Sequence, residues 1–273
     1  MNTKQQYNYN YGTGWKTLHV ERRDGYSTSV TGFHEHPFYE INLILSGNFK
    51  ILLRDRFEEG SGSRIVLTRP DTPHYISCKS DTLYRRIYLL FSEELVANFL
   101  PDWRQLSKVF GKNGAIVSIN QEQTDFVLHL IEQIEQEKHV LGQRLLIYYL
   151  LLQIGGYATN SMEEKEKPSY IFDALIHIEN HYFERIDFSA LAKSLCIGRT
   201  KMMTEFKLYV GSTIGEYLCQ CRLKNAIGYL LQQQTIEYAA EKCGFADGSS
   251  LIRAFKRVYG MSPCRYLKEN RKK

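Results

Sequence analysis

A chain of 273 residues with 43% hydrophobic content is long enough for two cores, and its formal net charge is +5. Its start is polar, and its most apolar run, Leu145 to Leu152, falls far short of the roughly 20 residues a membrane helix needs, so a cytoplasmic chain with no membrane partner is expected. Cys78, Cys196, Cys219, Cys221, Cys243 and Cys264 lack paired zinc spacing and mostly fall at apolar helical positions, so they are expected to be small core residues.

Residues 1–120 read as mostly β. Ile41, Leu43 and Leu45, then Phe49, Ile51 and Leu53, alternate on either side of Ser46-Gly47-Asn48, which predicts a hairpin. Gly60 to Ser63 marks a turn, Ile65 to Leu67 a strand, and after Pro70 to Pro73 further strands are expected near Tyr75 to Cys78 and Leu83 to Phe91. Short strands at this spacing predict a small barrel or jelly roll enclosing a cavity. Alternation places His34, His36 and Glu40 on one face of a strand, and His74 can join them from a neighbour, giving three imidazoles and a carboxylate suited to a divalent ion or to lining a polar pocket. The run His34-Glu35-His36-Pro37-Phe38-Tyr39-Glu40, with Gly47 beyond it and His74 later, resembles a cupin signature. The second cupin motif is imperfect, because Thr72 stands where the enzymes carry Gly. Phe38, Tyr39 and Tyr75 are expected to stack on a sugar-like ligand.

Residues 121–159 are expected to form two helices. Gln121 to Glu137 carries Phe126, Leu130, Ile131 and Ile134 on one stripe, and Leu141 to Gly155 is almost wholly apolar. This segment either packs on the barrel or couples two protomers as a homodimer, and both readings stay open. The polar run Asn160 to Ser169, with Pro168 near its end, is the expected linker.

The region 170–273 is expected to be all helical and contains one pattern twice. The first copy runs Asp187, Leu191-Ala192, Leu195, Ile197, Met202, Phe206; the second runs Thr235, Ala239-Ala240, Cys243-Gly244-Phe245, Leu251, Phe255. Each is a capped short helix, a tight turn and a second helix, which is the logic of the helix-turn-helix. Between the copies Thr213 to Leu231 predicts one helix with Cys219, Leu223, Ala226, Ile227 and Leu230 on a face. At about 1.5 Å per residue it is about 27 Å long, near the ~34 Å between successive major grooves. From Pro168 onward there are 16 Lys and Arg against 10 Asp and Glu, whereas the rest has 19 against 20. The positive charge sits with the repeated pattern, as a phosphate partner requires.

The stretch from Ile171 to Leu267 resembles the DNA-binding domain of AraC/XylS-type transcription regulators, most closely over Gly244-Phe245-Ala246-Asp247, Phe255-Lys256 and Gly260 to Pro263. The first copy departs from that pattern, with Gly198 where a capping Ser is common and Thr204 where an Arg often reads bases. If Met202, Phe206, Leu251 and Phe255 are buried, Thr200, Lys201, Met203, Thr204 and Lys207 face DNA from the first copy, and Ser249, Ser250, Arg253, Lys256 and Arg257 from the second. The resemblance also implies a base-reading Arg at Arg253, a sensor domain whose His and Glu residues hold no metal, and dimerisation through the helices of 121–159. The expectation is therefore a two-domain, non-enzymatic regulator: an N-terminal all-β cupin-like barrel with following helices, then a double helix-turn-helix. His34, His36, Glu40 and His74 bind a small-molecule effector, with a carbohydrate as first expectation, without metal or other cofactor. Double-stranded DNA is the macromolecular partner, with RNA polymerase a further one. The competing reading is a metal-dependent cupin enzyme with an appended DNA-binding domain. A third, an alkyl-transfer repair protein, would rest on Cys78, the only thiol in the first half.

Overall fold

The computed structural model describes residues 18–25, 31–78, 83–97, 102–158 and 169–270. The chain divides into two compact units, residues 1–167 and 168–273. Of the expected linker, all but Ser169 lies outside the described residues, and Ser169 opens a helix.

The first unit is a double sheet. Strands β1 (Leu18–Gly25), β3 (Tyr39–Ser46), β6 (Arg64–Thr68), β8 (Tyr84–Phe91) and β9 (Ala115–Ser118) form one sheet in the order β1-β8-β3-β6-β9. Strands β2 (Thr31–His34), β4 (Asn48–Leu52), β5 (Phe57–Ser61) and β7 (His74–Cys78) form the other, ordered β2-β7-β4-β5. The hairpin expected at Gly47 is absent: β3 and β4 belong to different sheets, and Gly47 turns a corner between them at φ +108. Residue alternation alone cannot tell a hairpin from such a corner, because both preserve the inward-outward period. The hairpin in this stretch joins β4 to β5 instead, closed by the Leu53 N–H donating to Arg56 O at 2.9 Å.

The period-2 alternation divides the work of the five-stranded sheet. Ile41, Leu43, Ile65, Leu67, Ile87, Leu89 and Phe91 occupy the outer face in the large apolar core, together with Val127, Leu130, Ile131, Ile134, Ile147, Leu150, Leu151 and Ile154 from helices α3 (Gln121–Gln136) and α4 (Val140–Ala158). Helix α3 starts at a capping box in which Asn120 accepts the Gln123 N–H and Gln123 accepts the Asn120 N–H. The inner face meets the second sheet through a smaller core of Ile44, Phe49, Ile51, Leu53, Val66, Ile76 and Tyr84. Short helices α1 (Glu93–Val96) and α2 (Trp103–Leu106) add Leu95, Val96 and Trp103 to the larger core.

The second unit is helical: α5 (Ser169–His181), α6 (Phe188–Ser194), α7 (Arg199–Val210), α8 (Ile214–Leu231), α9 (Ile236–Lys242), α10 (Gly248–Tyr259) and α11 (Pro263–Asn270). The expected apolar face of α8 is partly right. Leu223, Ala226 and Leu230 are buried, but so are Tyr217, Leu218 and Cys221 around the helix, because α8 packs against α5 and α7 near one motif and α9 and α10 near the other. The cysteine expectation holds only for buried Cys221 and Cys243; Cys78 and Cys219 are half-buried, and Cys196 and Cys264 are exposed. The last two lie in a turn and on the outer side of α11, positions that helical periodicity cannot sort.

Candidate functional site

The two helix-turn-helix copies share their turn hydrogen bonds as well as their sequence pattern. Asp187 and Thr235 cap α6 and α9 through their side chains. The Ile197 N–H then donates to Ala192 O at 3.0 Å, and at the same place in the second copy the Phe245 N–H donates to Ala240 O at 2.9 Å. That six-residue closure is a helix stop in which the residue just before the donor takes a left-handed conformation. In the second copy Gly244 occupies it at φ +72, and a Cβ there would stand 2.5 Å from Phe183 O. In the first copy Cys196 takes the same conformation at φ +56 with a side chain. Ala192, Ala239 and Ala240 are buried at these turns, where larger side chains would hold the helices apart.

The second helix of each copy buries one stripe and exposes the other. Met202, Phe206 and Val210 of α7, and Leu251, Ala254 and Phe255 of α10, are buried. Thr200, Lys201, Thr204 and Lys207 are exposed and Met203 is half-buried; on α10, Ser249, Arg253, Lys256 and Arg257 are exposed and Ser250 half-buried. Arg199, which the sequence reading passed over, is exposed in the first turn of α7. Its place before the periodic apolar residues hid it. Several of these cations have local partners: Lys201 Nζ lies 3.9 Å from Glu205, which also accepts the Tyr170 hydroxyl from α5. Arg253 Nη2 donates to Ser250 Oγ at 3.0 Å, and Arg257 Nη2 lies 3.4 Å from Cys219 Sγ. The Asp247 side chain accepts the Ser250 N–H and caps α10, while Gly198 leaves α7 without a side-chain cap.

In the first unit His34, His36, Glu40 and His74 are all buried, and their ligand atoms lie within 4.8 Å of one another. His74 joins from a neighbouring strand as expected, but His34, His36 and Glu40 do not share one strand. His34 ends β2, His36 sits in the link after it, and Glu40 is the second residue of β3, because Pro37 interrupts the ladder. His34 faces His74 across the β2–β7 pair, with ring centroids 4.1 Å apart. Glu40 Oε2 lies 2.7 Å from His36 Nε2 and 3.5 Å from His74 Nε2, while its Oε1 accepts Asn42 Nδ2 at 2.8 Å. Burial pushes the Glu40 carboxyl up, yet the His36 and His74 imidazoles outweigh it and hold the group well below the usual carboxylate range.

The register extends this polar surface. Glu40 pairs with Thr68, Asn42 with Val66 and Tyr88, and Ile44 with Arg86, so Thr68, Arg86 and Tyr88 share the inner face with Glu40 and Asn42. All are buried, and the Arg86 guanidinium lies over the Tyr84 and Tyr88 rings at 5.5 and 5.4 Å. Sequence reading missed these residues, although Tyr84, Arg86 and Tyr88 at every second position of β8 carried the signal for two of them. Tyr39 was misassigned: it stacks on Phe91 and packs against Trp103 and Phe110 in the outer core. Tyr75, one residue from His74 on its strand, also points to the opposite face. Phe38 is half-buried, its ring 6.3 Å from that of His36.

A two-sheet barrel with a buried polar face, and a separate helical unit with two exposed basic reading helices, define a ligand-responsive DNA-binding protein. The known proteins agree. An AraC-like ligand-binding domain model matches residues 20–154 and a helix-turn-helix domain model matches residues 191–269. The probable transcriptional regulator LumQ of Photobacterium leiognathi is 33% identical over 242 residues, covering 86% of this chain and 91% of the relative. The transcriptional activator RhaS of Klebsiella pneumoniae is 22% identical, covering 93% of this chain and 92% of its own. The Msm operon regulatory protein of Streptococcus mutans is 21% identical, covering 85% and 84%. The chain belongs to the AraC/XylS family of transcription regulators.

Proposed function

We propose that this regulator reads two adjacent major grooves with α7 and α10 and answers to a small, oxygen-rich effector held between the two sheets of the barrel. Arg253 acts as a bidentate reader of guanine, Ser249 and Ser250 contact neighbouring groups, and Lys256, Arg257 and Lys207 meet phosphates. Thr200, Met203 and Thr204 favour thymine methyls, so the half-site under α7 is A·T-containing and less sharply specified. Lys201 adds a phosphate contact once Glu205 releases it.

The observation that carries the effector reading is the buried polar inner face. Asn42 Oδ1 and Thr68 Oγ1 lie there without a hydrogen-bond partner. Each such group costs about 1–3 kcal/mol unless something satisfies it. A hydroxylated ligand such as a sugar supplies matching donors and acceptors. Binding then shifts the balance between DNA-competent and DNA-incompetent forms by its differential affinity for them.

The protein acts as a cytoplasmic homodimer that recruits RNA polymerase, and it performs no catalysis of its own. Among the described residues no helix is long and apolar enough to cross a membrane. Footprinting on the DNA upstream of its own gene, with and without a panel of sugars and small acids, tests the reading. Protection of two half-sites that changes with one ligand, and loses that change in Glu40→Ala or His74→Ala, is the expected result; protection indifferent to every ligand would sink the effector claim.

A further inference from the structure

Resting on the reading of α7 as a DNA-contacting helix, we infer that Glu205 and Tyr170 form a clasp on Lys201 that withholds it from the DNA backbone, and so set how tightly the first motif binds. Glu205 is the only acidic residue of α7. It accepts the hydroxyl of Tyr170, in the first turn of α5, and its other carboxylate oxygen lies 3.9 Å from Lys201 Nζ. The same ammonium stands 5.9 Å from the centre of the Tyr170 ring. Lys201 therefore has two partners, an aromatic face supplied by α5 and a carboxylate fixed by it.

Alone, the ion pair would be weak. A Lys four residues before a Glu is the less favourable order on a helix, and an exposed pair at this distance yields readily to a phosphate. Tyr170 changes that balance. Its hydroxyl immobilises the carboxylate, so Lys201 joins a partner that is already ordered, and the ring adds a second attraction. Burial and the Glu205 carboxylate push the Tyr170 phenol up to about 12, so it stays protonated and donating at neutral pH. Helix α5 is a firm mount. Glu179 on it accepts the Tyr217 hydroxyl at 2.6 Å and the Cys221 thiol at 3.1 Å, and Arg222 donates to Tyr182 O and Glu184 O at 2.7 and 2.8 Å, all three donors lying on α8. The Lys201 side chain is 61% exposed against 24% for Glu205, so the ammonium is open to an approaching phosphate and the carboxylate is the sheltered partner. The second motif lacks the device, because the same places of α10 hold Ser250 and buried Ala254. Affinity at the first motif thus depends on the first turn of α5, and a shift of that turn frees one cation.

The test is a set of salt titrations of the full chain on the duplex protected upstream of its own gene and on a duplex of unrelated sequence, since a phosphate contact registers on both. In the wild-type background Lys201→Ala should leave the salt slope unchanged. Glu205→Gln keeps an acceptor for Tyr170 but removes the charge; it should tighten binding by about 3–10-fold near 0.1 M salt and steepen the slope by about one phosphate contact. Adding Lys201→Ala to Glu205→Gln should cancel most of that gain, and Tyr170→Phe, which removes the hydroxyl and keeps the ring, should give part of it. A damaged fold does not produce tighter binding. Unchanged or weaker binding by Glu205→Gln overturns the clasp, and so does a slope already lowered by Lys201→Ala in the wild type. If Lys207→Ala lowers the slope in either case, the reading of α7 stands without the clasp. If Lys201→Ala, Lys207→Ala and Glu205→Gln all leave the slope unchanged, α7 lies away from the phosphates and both readings fall.

Discussion

Cys196 and Gly244 occupy the same step of two copies of one turn, and they respond oppositely to the same backbone demand. A left-handed conformation costs a residue with a Cβ about 1–2 kcal/mol, and Gly nothing. Cys196→Gly should therefore raise stability by about 1 kcal/mol in urea unfolding. Gly244→Ala should lower it by more than that, because strain adds to the contact with the Phe183 carbonyl. Equal effects of opposite sign would mean that the contact relaxes freely. On the reading face, Arg253→Ala is expected to cost about 1–3 kcal/mol on the operator and to relax preference at one base position. Lys207→Ala should instead reduce the salt slope of binding by about one phosphate contact while leaving sequence preference alone. A uniform loss on all sequences for Arg253→Ala would reduce that residue to a phosphate contact.

At the level of elements, the two reading helices differ in how they begin. Helix α10 starts at Asp247, whose carboxyl is held below its ordinary value by the Ser250 hydroxyl and N–H, while α7 starts at uncapped Gly198. A carboxylate with a depressed folded pKa adds stability above its unfolded value of about 3.9, and loses it as pH falls through the lower folded value. The α9–α10 motif should thus lose this support only below about pH 4. Asp247→Asn should flatten that acid limb, measured by amide exchange in α10 between pH 3 and 6; an unchanged profile would remove Asp247 as its source. Helix α4 shows a different asymmetry. Ile147, Leu150, Leu151 and Ile154 are buried, while Leu141, Leu145, Tyr149 and Leu152 are exposed at 65, 58, 45 and 47% on the other side. Such a two-sided apolar helix fits a second copy of the chain against its outer stripe. Leu145→Glu should convert a dimer to a monomer in sedimentation equilibrium, and a wild-type monomer at micromolar concentration would discard the interface.

Across the whole molecule, the division of labour rests on charge and burial being segregated along the chain. The excess of Lys and Arg lies from Pro168 onward, and the buried ionisable cluster lies between the sheets of the first unit. Sensing and reading can then be separated by mutation. Glu40→Ala should lose ligand response while keeping basal footprinting, whereas Arg253→Ala should weaken footprinting while keeping the ligand-induced shift in melting temperature. Variants that each lost both properties would show that the two units do not act separately.

What the sequence determined by itself was whatever depends on local periodicity. The repeat of capped helix, tight turn and second helix and the buried pairs Met202/Phe206 and Leu251/Phe255 were legible from spacing, whereas His34, His36 and Glu40 were grouped by an alternation along one strand that the fold does not keep. Tertiary structure decided which sheet each strand joined, and so made the turn at Gly47 a corner rather than a hairpin. It also sent Tyr39 to the outer core, set Thr68 opposite Glu40 with Arg86 further along the same inner face, and turned His36 and His74 so that both Nδ1 atoms met carbonyls. The physical reason is that alternation fixes only that neighbouring residues face opposite ways. Which face becomes the interior, and which distant strand supplies its partner, is set by long-range pairing and by burial against the helices.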